Sequence, residues 1–329
     1  FLNEGETVSV SVSAVDPENE ALSYMWSSSG GTFANASSQN TIFTAGGTGG
    51  DFNILCKATD ETGGYNTGSH FLHIGKSSQG RLSSNEVWNT SHLLTGDILI
   101  PNGITLTLNE GITVTVSSTD SYNLGGDPNR IEIISYGSIT FLGSDTFPVT
   151  VTGENSQKDC WAGFTLYSGS LLGGYGKIQN CKTGLYSALS DNIYNFEFSN
   201  CEIGFMAYNT SISSMDDLFF NNCNNGIFLV SSTINIYNSS FNSCGRGLVI
   251  DESSTAELGS ILSPIPYDMG YNAFYCAEYN IVNLSNNIIR ARGNWWNSTN
   301  SENIDNKLFD DEEGDNGWVD YSDYLLSAP

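Results

Sequence analysis

Five cysteines recur at near-constant spacing: Cys160, Cys181, Cys201, Cys223 and Cys244 are separated by 21, 20, 22 and 21 residues. A glycine stands three places after each, at Gly163, Gly184, Gly204, Gly226 and Gly247, and a bulky apolar residue follows every time (Phe164, Leu185, Phe205, Ile227, Leu248). Ile178, Phe198, Phe220 and Phe241 stand just ahead of the later cysteines, and Asn180, Asn200 and Asn222 immediately precede three of them. A period of about 20 to 50 residues marks a repeat architecture, in which each unit buries its apolar face only against its neighbours. The segments inside this period are too short, and too rich in Ile, Phe, Tyr, Ser and Asn, to be helices. A coil of about 21 residues that returns the same side chain to the same corner predicts a parallel β-helix.

Seven cysteines in a secreted chain suggest disulfides, but the spacing argues against them. Residues in register on neighbouring coils lie about 4.8 Å apart with parallel Cα–Cβ directions, whereas a disulfide brings the Cβ atoms to about 3.8 Å and turns them together. Buried thiols stacked as small hydrophobes are therefore expected. His70, His73 and His92 all precede the coils, which argues against a metal ladder.

Charge sets the partners. With 36 acidic against 11 basic residues the net is −25, and such a surface repels nucleic acid and anionic membranes, which are held through Lys and Arg. Polyuronates are repelled equally unless divalent cations bridge the two. No apolar run reaches the roughly 18 residues of a membrane span. The chain opens at Phe1 without Met or a signal-like segment, so a processed protein or fragment is expected, secreted or at a cell surface.

Residues 1–75 follow a different pattern. Val8, Val10 and Val12 alternate with serines, Leu22, Tyr24 and Trp26 form a second alternating run, and Phe52, Ile54 and Cys56 a third. Glycine pairs (Gly30-Gly31, Gly46-Gly47, Gly63-Gly64) separate them, as in a short-stranded sandwich. Glu4-Gly5-Glu6-Thr7-Val8, the run from Asp16-Pro17-Glu18-Asn19-Glu20 to Trp26, and the turn Asp60-Glu61-Thr62-Gly63-Gly64 resemble bacterial and archaeal Ig-like surface modules of the PKD and cadherin-like kind. The cysteine that would partner Cys56 in an antibody-type domain falls among Val8 to Val12 and is missing. The polar stretch over residues 76–84 reads as a linker.

From residue 85 to 329 the sequence is similar to extracellular right-handed parallel β-helix proteins of the pectate-lyase-like superfamily. The likeness is carried by Leu93 to Leu108, Gly111-Ile112-Thr113-Val114, Tyr136-Gly137-Ser138-Ile139, Pro148-Val149-Thr150-Val151 and Gly293-Asn294-Trp295-Trp296, with Asn297 where the family places Gly. The fold class is thus all-β, with about ten coils of about 21 residues after an Ig-like sandwich. Trp295 and Trp296 with the acidic tail are expected to cap the C-terminal end, and Trp88 with the Ig-like module the other.

The resemblance spans adhesins, surface-layer proteins, lyases and hydrolases, so function must come from a site. The pectin-hydrolysing members carry Asn-Thr-Asp, Asp-Asp, Gly-His-Gly and Arg-Ile-Lys. Here Asn209-Thr210-Ser211 lacks the acid, Asp216-Asp217 matches alone and reads as a solvated turn, and the other two are absent. Arg246 with Asp251-Glu252 reads as a structural patch. The asparagines before the cysteines are expected to form an amide ladder, and the glycines after them to supply positive φ. Ca2+ is the one candidate cofactor: Asp16, Glu18, Glu20 and Asp60, by the resemblance to cadherin-like modules, and the run Asp310 to Asp315 offer hard oxygen ligands. Asn-x-Ser/Thr sequons occur at Asn35, Asn89, Asn209, Asn238, Asn283 and Asn297. Tyr167, Tyr175, Tyr186 and Tyr208 are candidate sugar-stacking rings. The expected function is a non-catalytic extracellular scaffold for adhesion to glycans or other surface proteins. The alternatives are a self-assembling subunit of a filament or surface layer and, third, a polysaccharide lyase or hydrolase.

Overall fold

Parallel pairing of each short strand with its equivalent one coil later organises most of this chain. The computed structural model describes all residues except 1, 4, 47–49, 83, 260–268 and 311–315. The chain divides into two compact units, Phe1–Ser78 with Thr90–Leu93, and Gln79–Asn89 with Leu94–Pro329.

In the smaller unit Ser23–Ser27, Gly50–Thr59 and Tyr65–Arg81 form one antiparallel sheet, and Thr7–Ser11, Asn40–Ala45 and Gly31–Phe33 another. Both sheets contribute to one core of Trp26, Phe43, Ala45, Ile54, Cys56 and Leu72. The strand Tyr65–Arg81 runs into the stretch expected as a linker, and Leu82 beyond it is buried in the larger unit. Residues 76–81 are thus strand rather than linker, because strand pairing is a property of backbone amides and carbonyls that polar side chains do not prevent.

The larger unit is a parallel β-helix whose coils contribute to three columns. The first column holds Glu132–Ser135, Trp161–Leu166, Cys181–Ser187, Ile203–Tyr208, Asn225–Val230, Arg246–Ile250 and Tyr279–Asn283. The second includes Thr105–Asn109, Ser138–Leu142 and Ser170–Gly174, then Ile193–Tyr194, Ser211–Asp216, Thr233–Tyr237 and Thr255–Glu257. The third runs from Thr113–Val116 through Val149–Gly153, Gly176–Gln179, Phe196–Ser199, Phe219–Asn221 and Ser240–Asn242 to Ala273–Tyr275. Alternation within each strand sends every second residue into a common core.

The corners explain the period. Between the third and first columns the turn residue is left-handed at Asn180 (φ 59°), Asn200 (55°), Asn222 (53°) and Ser243 (53°). Asparagine is among the few L-residues that adopt this conformation readily. The asparagine amides also join one another: Asn200 Nδ2 donates to Asn180 Oδ1 (2.8 Å) and Asn222 Nδ2 to Asn200 Oδ1 (3.0 Å). The glycines do something other than expected. Of the five, Gly163 alone has positive φ (113°). A Cβ at Gly204 would lie 2.7 Å from Gly226 O and 2.7 Å from Phe220 Cδ1, and one at Gly226 would lie 2.6 Å from both Gly247 O and Phe241 Cδ1. These glycines are required by the close approach of the next coil, not by the turn.

Inside, Phe198, Phe220, Phe241, Phe274 and Trp296 stack ring on ring, with centroids 5.2, 4.9, 4.7 and 4.9 Å apart and planes within 11°. Trp296, 2% exposed, ends the column. Trp88, in the strand Glu86–Trp88, is buried in the same core. All seven cysteines are buried free thiols. Cys181, Cys201, Cys223 and Cys244 occupy one column, with the first two sulfurs 3.0 Å apart. Cys160 is out of step, because Trp161 pairs with Cys181. The indole fills that place and donates to Gln179 O (2.9 Å), and the Cys160 sulfur packs over Gly153. The sequence period of five is therefore a structural ladder of four.

At the far end Asn300 caps the helix Ser301–Asp305, accepting from Glu302 N and Asn303 N, and Ile304 enters the core. Asp310 accepts from Val319 N (2.8 Å); the rest of the acidic run, 311–315, lies outside the described residues. Among the described residues no helix is long and apolar enough to cross a membrane.

Candidate functional site

The turn between the second and third columns is also left-handed, at Tyr175 (φ 54°), Asn195 (57°), Asp217 (53°), Asn238 (48°) and Tyr271 (51°). Each turn residue ushers in a third-column strand whose inward members are Ile178, Phe198, Phe220 and Phe241 and whose outward members are, in register, Lys177, Glu197, Phe219 and Ser240. Corner and outward residues together line a depression of about 220 Å³, bounded at one side by Ser144 and Asp145. A second depression of about 530 Å³ starts from the same Asp217 and continues over Asn238, Asn242, Tyr271 and Tyr275. The two make a groove that crosses successive coils along the helix axis.

Its chemistry is mixed. Tyr175 and Phe219 are 38% and 39% exposed, and neither makes a ring–ring contact among the described residues. Both rings are thus partly open to solvent at the groove. Lys177 Nζ sits 2.8 Å from Glu197 Oε2. Partial burial, with the neighbouring charge of Asp216, pushes the Asp217 carboxyl above its usual range. Asp216 is held in the turn, accepting from Asn238 Nδ2 (2.7 Å) and Asp217 N (3.1 Å).

A second aromatic feature lies on the outer side of the first column. Tyr136 stacks on Tyr167 (5.2 Å, 20°), and Tyr186 on Tyr208 (5.7 Å, 28°), with Tyr167 and Tyr186 edge to face at 6.1 Å. Tyr167 and Tyr208 are 49% and 44% exposed and Tyr186 is half-buried. Rings packed in this way turn their faces to one another, so solvent meets edges and hydroxyls. This ladder tiles the surface, whereas the groove rings stand apart from other rings among the described residues.

The other sequence candidates scatter. Asp16 Oδ1 accepts from Glu18 N and Glu20 N, and Asp60 Oδ1 from Thr62 N and Gly64 N, so each carboxylate serves its own turn. The Thr62 hydroxyl leads the contacts that hold Asp60 below the usual carboxylate range. Among the described residues no group of three or more His, Cys, Asp or Glu side chains is placed to hold a metal ion; the structure does not bring Asp16, Glu18, Glu20 and Asp60 together as a cation cage. Asn35, Asn89, Asn209, Asn238 and Asn297 are exposed. Asn283 is not available: it is fully buried, and its Nδ2 donates to Asn287 O (3.0 Å) and Gly317 O (2.5 Å). A glycan there is incompatible with the fold. Arg246 pairs with Glu278 (3.2 Å), and Asp251 caps backbone amides of Ser231 and Ser253.

Sequence reading missed a pair of inner carboxylates. Asp97, fully buried, accepts from Leu124 N, Gly125 N and Glu132 N (all 2.6 Å), and Glu132 accepts from Gly126 N (2.5 Å) and Asp127 N (3.2 Å). Burial pushes both above the usual range. They pin the loop ahead of Glu132 and are spent on backbone amides. It also missed most of the groove: a corner residue recurs three places before Ile178, Phe198, Phe220, Phe241 and Phe274, and that period was the available signal.

No family model matches the chain, and no curated protein matches it. Among solved structures it is similar to a family 28 exopolygalacturonase of Yersinia enterocolitica, at 11% identity over 89% of this chain and 71% of that one, with a TM-score of 0.27. So slight a likeness bears on nothing here; the parallel register carries the fold.

Proposed function

We propose that this is an extracellular glycan-binding β-helix, which holds a polysaccharide along the third-column groove as a scaffold for adhesion and does not cleave it. The observation that carries the reading is the groove itself, where the unstacked rings of Tyr175 and Phe219 converge with Ser144, Asp145, Lys177, Asn195 and Asp217. Sugars need such a mixture, because their C–H faces pack on aromatic rings while their hydroxyls need fixed polar partners. Non-cleavage is supported by the sequence, where Asp216-Asp217 is the one complete match to the four signatures of the pectin-hydrolysing members. Sedimentation with insoluble polysaccharides and calorimetry with soluble oligosaccharides test the reading. Tyr175→Ala and Phe219→Ala should each weaken binding by about tenfold, and unchanged affinity in both rejects the groove.

One observation favours hydrolysis as a second reading. Burial and Asp216 push up the carboxyl of Asp217, which suits a general acid. Release of reducing ends by the native protein, abolished in Asp217→Asn, would establish this reading in place of the first.

A further inference from the structure

The ionisable groups around the groove lean to one sign. Asp145, Glu197 and Asp217 are acidic, and Lys177 is the one Lys or Arg among the described lining residues. Its ammonium is already matched by Glu197 at 2.8 Å. Asp145 and Asp217 have no ion pair among the described residues. Around them the chain carries a net charge of −25, so the groove sits in a field that attracts cations and repels anions.

Direction follows from topology. The outward residues Thr150, Lys177, Glu197 and Phe219 stand in register on consecutive third-column strands. Three coil steps cover about 14 Å at about 4.8 Å per step. A linear chain in the groove therefore crosses the strands, and Asp145 and Asp217, at opposite ends of the first depression, face different sugars.

Resting on the glycan-binding reading, we propose that the ligand is a cationic glycan: a linear polymer of hexosamines with free amino groups, lying along the helix axis with ammonium groups against Asp145 and Asp217. The groove and its partly exposed rings make the site; the unmatched carboxylates choose among glycans. A neutral sugar leaves both carboxylates without a counter-charge. A polyuronate sets like charge against them at close range, a cost that salt screens only beyond about 8 Å. Partial desolvation and the neighbouring Asp216 disfavour the charge of Asp217, although the residue is exposed, and a bound ammonium would offset both.

Calorimetry on the full chain decides the matter, with a glucosamine hexamer, its fully N-acetylated counterpart and an oligogalacturonate of equal length. The amino oligomer should bind about tenfold tighter than the acetylated one, and the preference should shrink in Asp145→Asn, in Asp217→Asn and at raised salt. Both side chains are exposed, so melting temperatures close to the native value should certify the variants. The salt series on the native chain gives an answer that needs no variant. Equal affinity for amino and acetylated oligomers overturns the cationic assignment and leaves glycan binding intact. Tighter binding of the oligogalacturonate overturns it as well. Binding of none of the three, with no retention on insoluble polysaccharide, removes the assignment together with the reading beneath it.

Discussion

Phe220→Ala tests whether the stacked rings hold the coils together. Phe220 is fully buried, between Phe198 at 5.2 Å and Phe241 at 4.9 Å, with planes inclined by 11° and 7°. Truncation removes the transfer energy of the ring and leaves a hole that the rigid neighbouring coils cannot close, a loss of about 3–5 kcal/mol. At roughly 2–4 °C per kcal/mol for a unit of this size, the melting temperature falls by roughly 6–20 °C. Phe219 is the internal control: it is the next residue, 39% exposed, and turned to the groove. Phe219→Ala should cost about 1–2 kcal/mol. Calorimetric melts and urea curves followed by tryptophan fluorescence measure both, since Trp296 closes the stack at 4.9 Å from Phe274. A double-mutant cycle with Phe241→Ala adds a coupling of about 0.5–3 kcal/mol if neighbouring rings share one cavity. Equal losses for Phe219 and Phe220 would refute the assignment of faces, and strict additivity would refute the stack as a cooperative element.

Gly204→Ala, the smallest possible insertion, drives a methyl group to 2.7 Å from Gly226 O and Phe220 Cδ1, and should destabilise by about 1–3 kcal/mol; a neutral result in urea titration would contradict the close coil contact. The thiols should ignore a thiol reagent at pH 8 until the protein is denatured, whereupon all seven react, because every one of them is buried beyond the reagent's reach; fast labelling of the native chain would count against the ladder. Acid stability should depend on Asp320. Burial opposes its charge, but Ser322 and Arg292 outweigh that and hold it below the usual carboxylate range. Its contribution is therefore present above the ordinary carboxylate pKa and is lost as pH falls through the lowered value. Asp320→Asn should remove that part of the acid dependence of the melting temperature, and superimposable pH profiles would show that the pair with Arg292 is idle.

The parallel coils were legible because the repeat writes the same inward residue at each turn, so that Phe198, Phe220 and Phe241 stack on one another. Asparagine ladders and buried thiols followed from coil spacing alone. The role of Gly184, Gly204 and Gly226 did not, since a left-handed turn and a close approach both select glycine and only geometry separates them. The slip at Cys160 was equally hidden: a bulge near Gly163 shifts the register by one residue without disturbing the letter spacing. Asp217 looked like a solvated turn, and it is a turn, but the same turn makes it part of the groove's lining. Which neighbours share that groove depends on strand order in three dimensions. The stretch 76–84 misled because polarity was taken for irregularity, whereas the strand Tyr65–Arg81 occupies its first two-thirds, strand pairing being indifferent to side-chain polarity.

Length in this protein is stored in the corners. Ile98 pairs with Ile133, and Thr183 with Ile203, in the same parallel manner, although a far longer excursion separates the first pair. Within the strands such variation is confined to bulges, as near Gly163 and between Ile212 and Met215, because an added residue elsewhere would invert inside and outside. Whole coils are a different matter. Each begins and ends at equivalent turns, so a duplicated or deleted coil rejoins its neighbours with rings, thiols and amides still aligned. Genes of this design can therefore lengthen or shorten the groove in single-coil increments, and matching the length of a bound polymer becomes a question of copy number instead of new packing solutions.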